Sequence, residues 1–310
     1  MKNNLFIVLI FFQYSFSQTL TILSYYQKDE NLSRDLQKIV NELDLDKNFN
    51  VGEDGIEQIS LAVIDLSEKQ PVLGGVNYDN FIYPASVYKM YVAAEILNQV
   101  SQGKYSLYEP YVAKEPNVVD RSKQIDNDPR PLLKDGDTVT VNYLLDLMIT
   151  RSDNSAANCL IDIAQRKNID SLLHSYDWYG SEVTRKFLKR KFEDPMYENV
   201  RGTETCALHA ADFMYKIYSN TLVNEWVSLQ MKTLLGRQLD ISKLSAGLSH
   251  SAMFYHKTGW FSYWTNDVGI VDDSEVKYII ACFIPLEEEL ALPKFKILSE
   301  KVYELIKSRL

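Results

Sequence analysis

The chain of 310 residues contains only three cysteines and four histidines, and it has no block of five or more consecutive lysines and arginines. Three cysteines cannot build a disulfide framework. The histidines form neither a His-x-His nor a His-Glu-x-x-His pattern, so the sequence predicts no catalytic metal site, and we expect no cofactor. The net charge is −9, and in the absence of such a basic block this argues against a nucleic-acid partner.

Long apolar runs are also absent, and the run nearest the start of the chain covers only Leu5–Phe12, after Lys2. Such a run followed by small residues is typical of a secretory signal peptide, here cut near Ser17–Gln18. Eight apolar residues are far short of the ~20 that span a bilayer, so we expect no stable membrane span. The sequence therefore predicts a signal peptide over residues 1–17 and export to the periplasm. A retained anchor is the alternative.

What is present is ordinary globular composition, with 46% apolar and 24% charged residues. Apolar positions over 31–48 recur at helical spacing, and two strands over 56–66 and 71–78 form a hairpin. The pattern from about 86 to 245 is helical, except for a polar, proline-bearing stretch over 104–137 that we interpret as a long surface connection.

Strands return after residue 250, over 252–258, 265–271 and 276–284, and a helix follows Pro293. Strands at both ends of the chain with helices between them predict an α/β (α+β) protein. We expect a five-stranded antiparallel sheet built from both termini with flanking helices, plus an all-helical domain. These expectations give one domain over 18–310, its sheet part 31–85 and 246–310 and its helical part 86–245.

Three Ser-x-x-Lys tetrads occur, beginning at Ser86, Ser101 and Ser274. Only the first opens an apolar helical run, where residues i and i+3 share a face and the Lys89 amine can reach the Ser86 hydroxyl. A serine becomes a good nucleophile when a neighbouring base removes its proton. A lysine is such a base where burial or positive charge lowers its pKa. The alternative for this tetrad is an N-cap serine followed by a solvent-facing lysine.

Two further motifs lie downstream. Ser152-Asp153-Asn154 falls in the break between two strongly periodic helices, where a serine could relay a proton and an asparagine could bind an amide. The alternative is a helix cap, because these residue types favour turns. Lys257-Thr258-Gly259 ends a strand, where the first two side chains could bind a carboxylate and the glycine lets a substrate lie along the edge. The alternative is a strand running out into a turn.

On these three motifs and their order, residues 56–306 resemble the class A β-lactamases and penicillin-recognising serine hydrolases. The motifs follow one another at spacings of 66 and 105 residues, similar to class A members. The fold of that family, an antiparallel sheet from both termini plus an all-helical domain, agrees with the pattern above.

The resemblance implies a role for each motif residue. Ser86 would be the acylated nucleophile and Lys89 its general base, with the backbone N–H groups of Ser86 and Trp260 as the oxyanion hole. Ser152 would pass a proton to the leaving nitrogen. Asn154 would contact the side-chain amide of the substrate.

Two more roles and two departures complete the comparison. Lys257 and Thr258 would hold the carboxylate of the substrate. Class A enzymes also carry a Glu-x-x-Leu-Asn segment whose glutamate activates the deacylating water, and that string is absent here. Glu193 and Glu198 are both candidates for the substitute base, and we predict Glu193 because Asp194-Pro195 after it is a turn signal. A solvated loop glutamate is the alternative. Where many class A enzymes carry an arginine, this chain has Asn266-Asp267.

The expectation is therefore an exported serine hydrolase that acylates on Ser86 and hydrolyses a β-lactam amide. Its partner would be a small molecule, a β-lactam or a peptidoglycan-like amide, and we expect a monomer. A penicillin-binding D-Ala-D-Ala peptidase or cell-wall amidohydrolase is the first alternative. A non-catalytic penicilloyl-binding or sensor protein is the second.

Overall fold

Strands from both ends of the chain pair in one sheet. The computed structural model describes residues 23–52, 55–120, 128–188 and 202–310. The strands in chain order are β1 Gln27–Lys28, β2 Phe49–Asn50, β3 Ile56–Glu57, β4 Ser60–Asp65, β5 Val72–Val76, β6 Pro110–Val112, β7 Thr138–Thr140, β8 Met253–Phe261, β9 Trp264–Asp272 and β10 Lys277–Ile284. Six of them form the main sheet in the order β1-β5-β4-β10-β9-β8, while β2–β3 and β6–β7 pair separately.

The expected five-stranded antiparallel sheet is confirmed as β5-β4-β10-β9-β8, and the structure adds β1 as a sixth strand. β1 pairs parallel to β5, with Gln27 opposite Val72. Both residues of β1 are exposed, so the strand lacks the alternation that announces a half-buried strand. The strand at the opposite edge, β8, carries the Lys-Thr-Gly motif.

Eight α-helices flank or complete this sheet in the described part of the chain. They are α1 Glu30–Glu42, α2 Lys89–Ser101, α3 Val141–Thr150, α4 Asn154–Ala164, α5 Arg166–Ser175, α6 Ala207–Tyr218, α7 Glu225–Leu235 and α8 Glu288–Lys307. Short 3-10 turns at Leu23–Tyr25, Ala85–Tyr88 and Leu244–Gly247 link them to neighbouring segments. Each of these described helices is too short or too polar to cross a bilayer.

Two sequence expectations need correction. The last helix begins at Glu288, before Pro293, because the acidic residues Glu288 and Glu289 suit the positive end of the helix and make a favourable first turn. The 104–137 stretch is more than a surface connection in its described residues. It contributes β6 and the buried side chains of Ala113, Val118 and Leu133 to the core.

Apolar side chains fill two clusters, one on each face of the sheet. One cluster joins the sheet to the helical part of the chain and includes most of α2, which is buried nearly all round. The other joins the sheet to α1 and α8. Every residue of β4 is buried, as expected for a strand covered on both faces. The site described next lies at the edge strand β8, beside the start of α2.

Candidate active site

Ser86 lies in a 3-10 turn directly before α2. The turn spans Ala85–Tyr88, and the backbone N–H of Lys89 donates to the Ser86 carbonyl, so one turn separates the two residues. Ala85 has φ +46°, a left-handed conformation that costs energy in any residue except glycine. Such strain is concentrated at functional sites. The strained turn thus places Ser86 one turn before the buried Lys89, which is the spacing on which the tetrad prediction rests.

The Lys89 amine is fully buried and hydrogen-bonded. Its Nζ donates to the Ser152 carbonyl at 2.8 Å, to Ser152 Oγ at 3.2 Å and to Asn154 Oδ1 at 2.7 Å. The first motif thus meets the second across 63 residues of sequence. A solvent-facing lysine, the alternative interpretation of the tetrad, is wrong.

The Ser-Asp-Asn motif forms the sharp link between α3 and α4. Ser152 has φ +58°, again a left-handed conformation. This geometry turns the chain and directs the Ser152 hydroxyl towards the Lys89 amine. Asp153 caps α4, because its Oδ1 accepts from the backbone N–H of Ala156 at 2.8 Å. The cap interpretation is therefore correct for Asp153, while Ser152 and Asn154 face the site.

A buried arginine holds this link in place. Arg151, directly before the motif, donates to Asp153 Oδ2 at 3.0 Å and to the carbonyls of Arg130 and Pro131 at 2.8 and 2.9 Å. Its guanidinium also lies 3.4 Å from Asp128 Oδ2. The hydrogen bonds from Arg130 hold the pKa of Asp128 below its usual value, so the carboxylate remains charged beside both guanidinium groups.

The Lys-Thr-Gly motif brings a second amine to the same hydroxyl. Lys257 is fully buried, and its Nζ donates to Ser152 Oγ at 3.1 Å and to the Thr258 carbonyl at 2.7 Å. Its neighbour His256 contacts Asp267 instead, with 2.9 Å between Nδ1 and Oδ1. The two side chains therefore leave β8 in different directions, as alternation along a strand predicts.

Gly259 lets β8 pass close to the nucleophile turn. A Cβ built on Gly259 would lie 2.9 Å from Ser86 N and 2.5 Å from the Pro84 carbonyl, so no larger residue fits. As the edge strand, β8 also has backbone N–H groups that the sheet does not use. Trp260 and Phe261 follow with 54% and 59% of their surface exposed, which leaves an aromatic patch at the rim of the site.

Two residues that contact the motifs were not identified from the sequence. Asp120 accepts from the backbone N–H of Asn154 at 2.6 Å and from its Nδ2 at 3.0 Å. The Phe187 ring covers the Lys89 amine, 4.3 Å from ring centre to Nζ. Neither residue belongs to a motif, and the fold alone brings them to the site.

Three further features concern the predicted base Glu193, metal binding and a buried cysteine. Glu193 lies outside the residues that the structure describes, so its role stays a prediction. Within the described ranges, no three His, Cys, Asp or Glu side chains are grouped to hold a metal ion. Cys159 is buried in the core, and burial raises the pKa of its thiol to about 12, so it is a packing residue.

Residues 33–304 match the model of the β-lactamase enzyme family. The chain belongs to this family. The match spans the five antiparallel strands of the main sheet, most of every helix and all three motifs, and it confirms the resemblance inferred from them. Family membership alone leaves the activity of this particular chain to be argued from its site.

Individual members are distant relatives. The extended-spectrum β-lactamase PER-1 of Pseudomonas aeruginosa is 26% identical over 199 residues, which cover 60% of this chain and 61% of PER-1. The match thus spans about three fifths of the length of that curated relative. The structure of PBP-A superposes with a TM-score of 0.74 at 19% identity, covering 91% of this chain and 98% of PBP-A. A β-lactamase from Sphaerobacter thermophilus gives a TM-score of 0.72 at 16% identity, covering 88% of this chain and 97% of that structure.

Proposed function

We propose that the protein is a serine hydrolase that opens β-lactam amides through an acyl-enzyme on Ser86. One observation carries the proposal: the buried amines of Lys89 and Lys257 both bind the Ser152 hydroxyl, at 3.2 and 3.1 Å, beside the turn that carries Ser86. Burying a lysine costs desolvation energy, so a purely structural role would not require two buried lysines on one serine. A proton relay through the Ser152 hydroxyl does require amines beside it.

In acylation, Ser86 Oγ attacks the ring carbonyl while Lys89 accepts its proton. The amine must be neutral to accept this proton. The backbone N–H groups of Ser86 and Trp260 hold the oxyanion. Ser152 then donates a proton to the ring nitrogen and regains one from a neighbouring amine, and the C–N bond breaks to leave an ester on Ser86.

Substrate binding uses the remaining motif residues. Lys257 and Thr258 bind the carboxylate, and Asn154 donates to the carbonyl of the side-chain amide. The exposed aromatic side chains of Trp260 and Phe261 lie where they could pack on an apolar substituent. Water then hydrolyses the ester with Glu193 as base, and the open-ring product leaves. We also propose export to the periplasm, on the apolar run at Leu5–Phe12.

A second candidate uses the same acylation but keeps the ester. The observation that favours it is the Phe187 ring packed over Lys89, which removes water from that side of the amine. A mutant of PBP-A with a structure similar to this chain, at a TM-score of 0.73 and 19% identity, was solved as an acyl-enzyme complex with penicillin G. By this account the protein is a D-Ala-D-Ala peptidase or a penicilloyl-binding protein.

Steady-state hydrolysis of a chromogenic cephalosporin tests the proposal. We expect turnover by the wild type and by Ser101→Ala, the matched tetrad serine at the end of α2. Ser86→Ala should lose at least ~1000-fold in kcat, as expected when a nucleophile is removed. One adduct per chain without turnover would support the second candidate, and release of D-alanine from a D-Ala-D-Ala peptide would identify a peptidase. Equal turnover by Ser86→Ala would overturn the proposal.

A further inference from the structure

The Asp120 carboxylate accepts two hydrogen bonds from Asn154. Its Oδ2 accepts from the backbone N–H at 2.6 Å, and its Oδ1 accepts from Nδ2 at 3.0 Å. Asn154 is the first residue of α4, where backbone N–H groups have no acceptor in their own helix. A carboxylate there is also stabilised by the positive end of the helix. One side chain thus completes a helix start and holds a site residue.

The segment that carries Asp120 is itself fastened to α4. The backbone N–H groups of Val119 and Asp120 both donate to Ser155 Oγ, at 2.9 and 3.1 Å. Asn158 Nδ2 donates to the Asn117 carbonyl at 3.2 Å. These hydrogen bonds hold the backbone of Asp120 independently of its contact with Asn154, so its carboxylate has a defined position in the site.

Asp120 and Lys89 occupy opposite ends of the Asn154 amide. Lys89 Nζ donates to Oδ1 at 2.7 Å, while the Asp120 carboxylate receives from Nδ2. A carboxylate can only accept, so the amide nitrogen must face Asp120. A neutral amine can also accept, and without Asp120 the amide could turn over whenever Lys89 is in its base form.

We propose that Asp120 is a positioning residue that fixes the Asn154 amide with its oxygen towards Lys89 and its free N–H towards the substrate. The inference rests on the proposed function, because it concerns binding at the same site. Of the two Nδ2 hydrogens, Asp120 takes one, so Asn154 offers the substrate a donor and no acceptor. Asp120 should therefore matter most for β-lactams that carry an acylamino side chain, whose carbonyl can accept from the Asn154 amide.

Two penicillins test this preference. Benzylpenicillin has the side-chain carbonyl, and 6-aminopenicillanic acid is the same nucleus without it. For Asp120→Asn, which keeps the size of the side chain and loses its charge, we expect kcat/KM for benzylpenicillin to fall by at least ~10-fold and that for 6-aminopenicillanic acid by less than ~3-fold. Asp135→Asn is the matched control, since Asp135 also accepts a backbone N–H, at 3.0 Å from Glu115, in the same connection. Equal losses for both substrates, or no loss, would overturn the inference.

A second readout needs no substrate. The side-chain amide protons of Asn154, assigned by loss of their NMR signals in Asn154→Asp, should shift in Asp120→Ala and remain unchanged in Asp135→Asn. Unchanged Asn154 signals in a folded Asp120→Ala protein would contradict the positioning role. If the signals shift as expected but no β-lactam acylates the wild type, the proposed function is wrong, and the positioning of the amide by Asp120 stands.

Discussion

The Lys89 amine lies 4.3 Å from the centre of the Phe187 ring. Phe187 is held there by stacking on Tyr88, with ring centroids 5.3 Å apart, and by its backbone N–H, which donates to Asn158 Oδ1 at 2.7 Å. An aromatic face stabilises a cation. The ring therefore favours a charged amine, whereas the proposed acylation needs a neutral one, so we expect the ring to influence the pH dependence of acylation.

Phe187→Leu should make acylation possible at lower pH. Leucine keeps the contact apolar but removes the attraction between ring and cation, which is about 0.5–2 kcal/mol. The acid limb of the pH profile for acylation should then move down by about 0.4 to 1.5 pH units. Labelling rates with a fluorescent penicillin between pH 5 and 9 would measure it, with Phe254→Leu, stacked on His256, as the control. An acid limb that stays in place would show that the ring has no effect on the base.

Lys257→Ala should weaken acylation by anionic β-lactams selectively. One lost charged hydrogen bond costs about 1.5–3 kcal/mol, on the order of ten- to a hundred-fold in rate. A neutral ester of the same β-lactam should lose much less, because it offers no carboxylate. Pre-steady-state acylation rates for the acid and the ester would compare the two. Equal losses would show that Lys257 acts instead through the electrostatics of Lys89.

Glu193→Gln should leave acylation intact and prolong the life of the ester. A water that attacks the acyl-enzyme needs a base within hydrogen-bond reach, and a carboxylate is suited to this. We expect a normal burst followed by an adduct that persists in the intact mass spectrum. In Glu198→Gln, which removes the other candidate base, the ester should keep its wild-type lifetime. Unchanged turnover in Glu193→Gln would transfer the role to Glu198 or to Lys89 itself.

The three motifs were predictable because each rests on local geometry. The i, i+3 spacing of Ser86 and Lys89 needs only one helical turn, and alternation along β8 separates His256 from Lys257. That the motifs would form one site was implied by the resemblance to the penicillin-recognising serine hydrolases, because periodicity along the chain does not fix which side chains meet at Ser152.

Asp120 and Phe187 were not predictable, because their roles depend on contacts between distant segments. Asp120 lies 34 residues before Asn154 in a polar stretch without periodicity. Phe187 is one aromatic residue among many, and 98 positions separate it from Lys89. Strand β1 was not predicted for a different reason. Its two exposed residues have no alternation of apolar and polar side chains, and they form a strand only by pairing with β5.

Stability should fall as the pH is lowered, in part because of His209. Burial lowers its pKa to about 3 from 6.5, while Ser181 Oγ lies 2.8 Å from Nδ1. Between these values the unfolded chain binds a proton that the folded chain does not, so acid favours unfolding. In His209→Gln, the free energy of unfolding measured by urea titration should depend less steeply on pH than in the wild type. Between pH 6 and 4 its loss per pH unit should be smaller by about 1 kcal/mol.

His250→Gln provides the control for this prediction, because His250 is exposed. Its pH dependence should match that of the wild type. If His209→Gln keeps the full wild-type slope, protonation of His209 makes no contribution, and other buried groups account for the loss in acid.

The central claim is that Ser86 is the acylated residue, and mass spectrometry after mixing with a fluorescent penicillin tests it most directly. The account predicts one adduct per chain in the wild type, in Ser101→Ala and in Ser274→Ala, mapped to the proteolytic fragment that contains Ser86. It predicts no adduct in Ser86→Ala. An adduct on folded Ser86→Ala, or a wild-type adduct mapped to any other fragment, would contradict it.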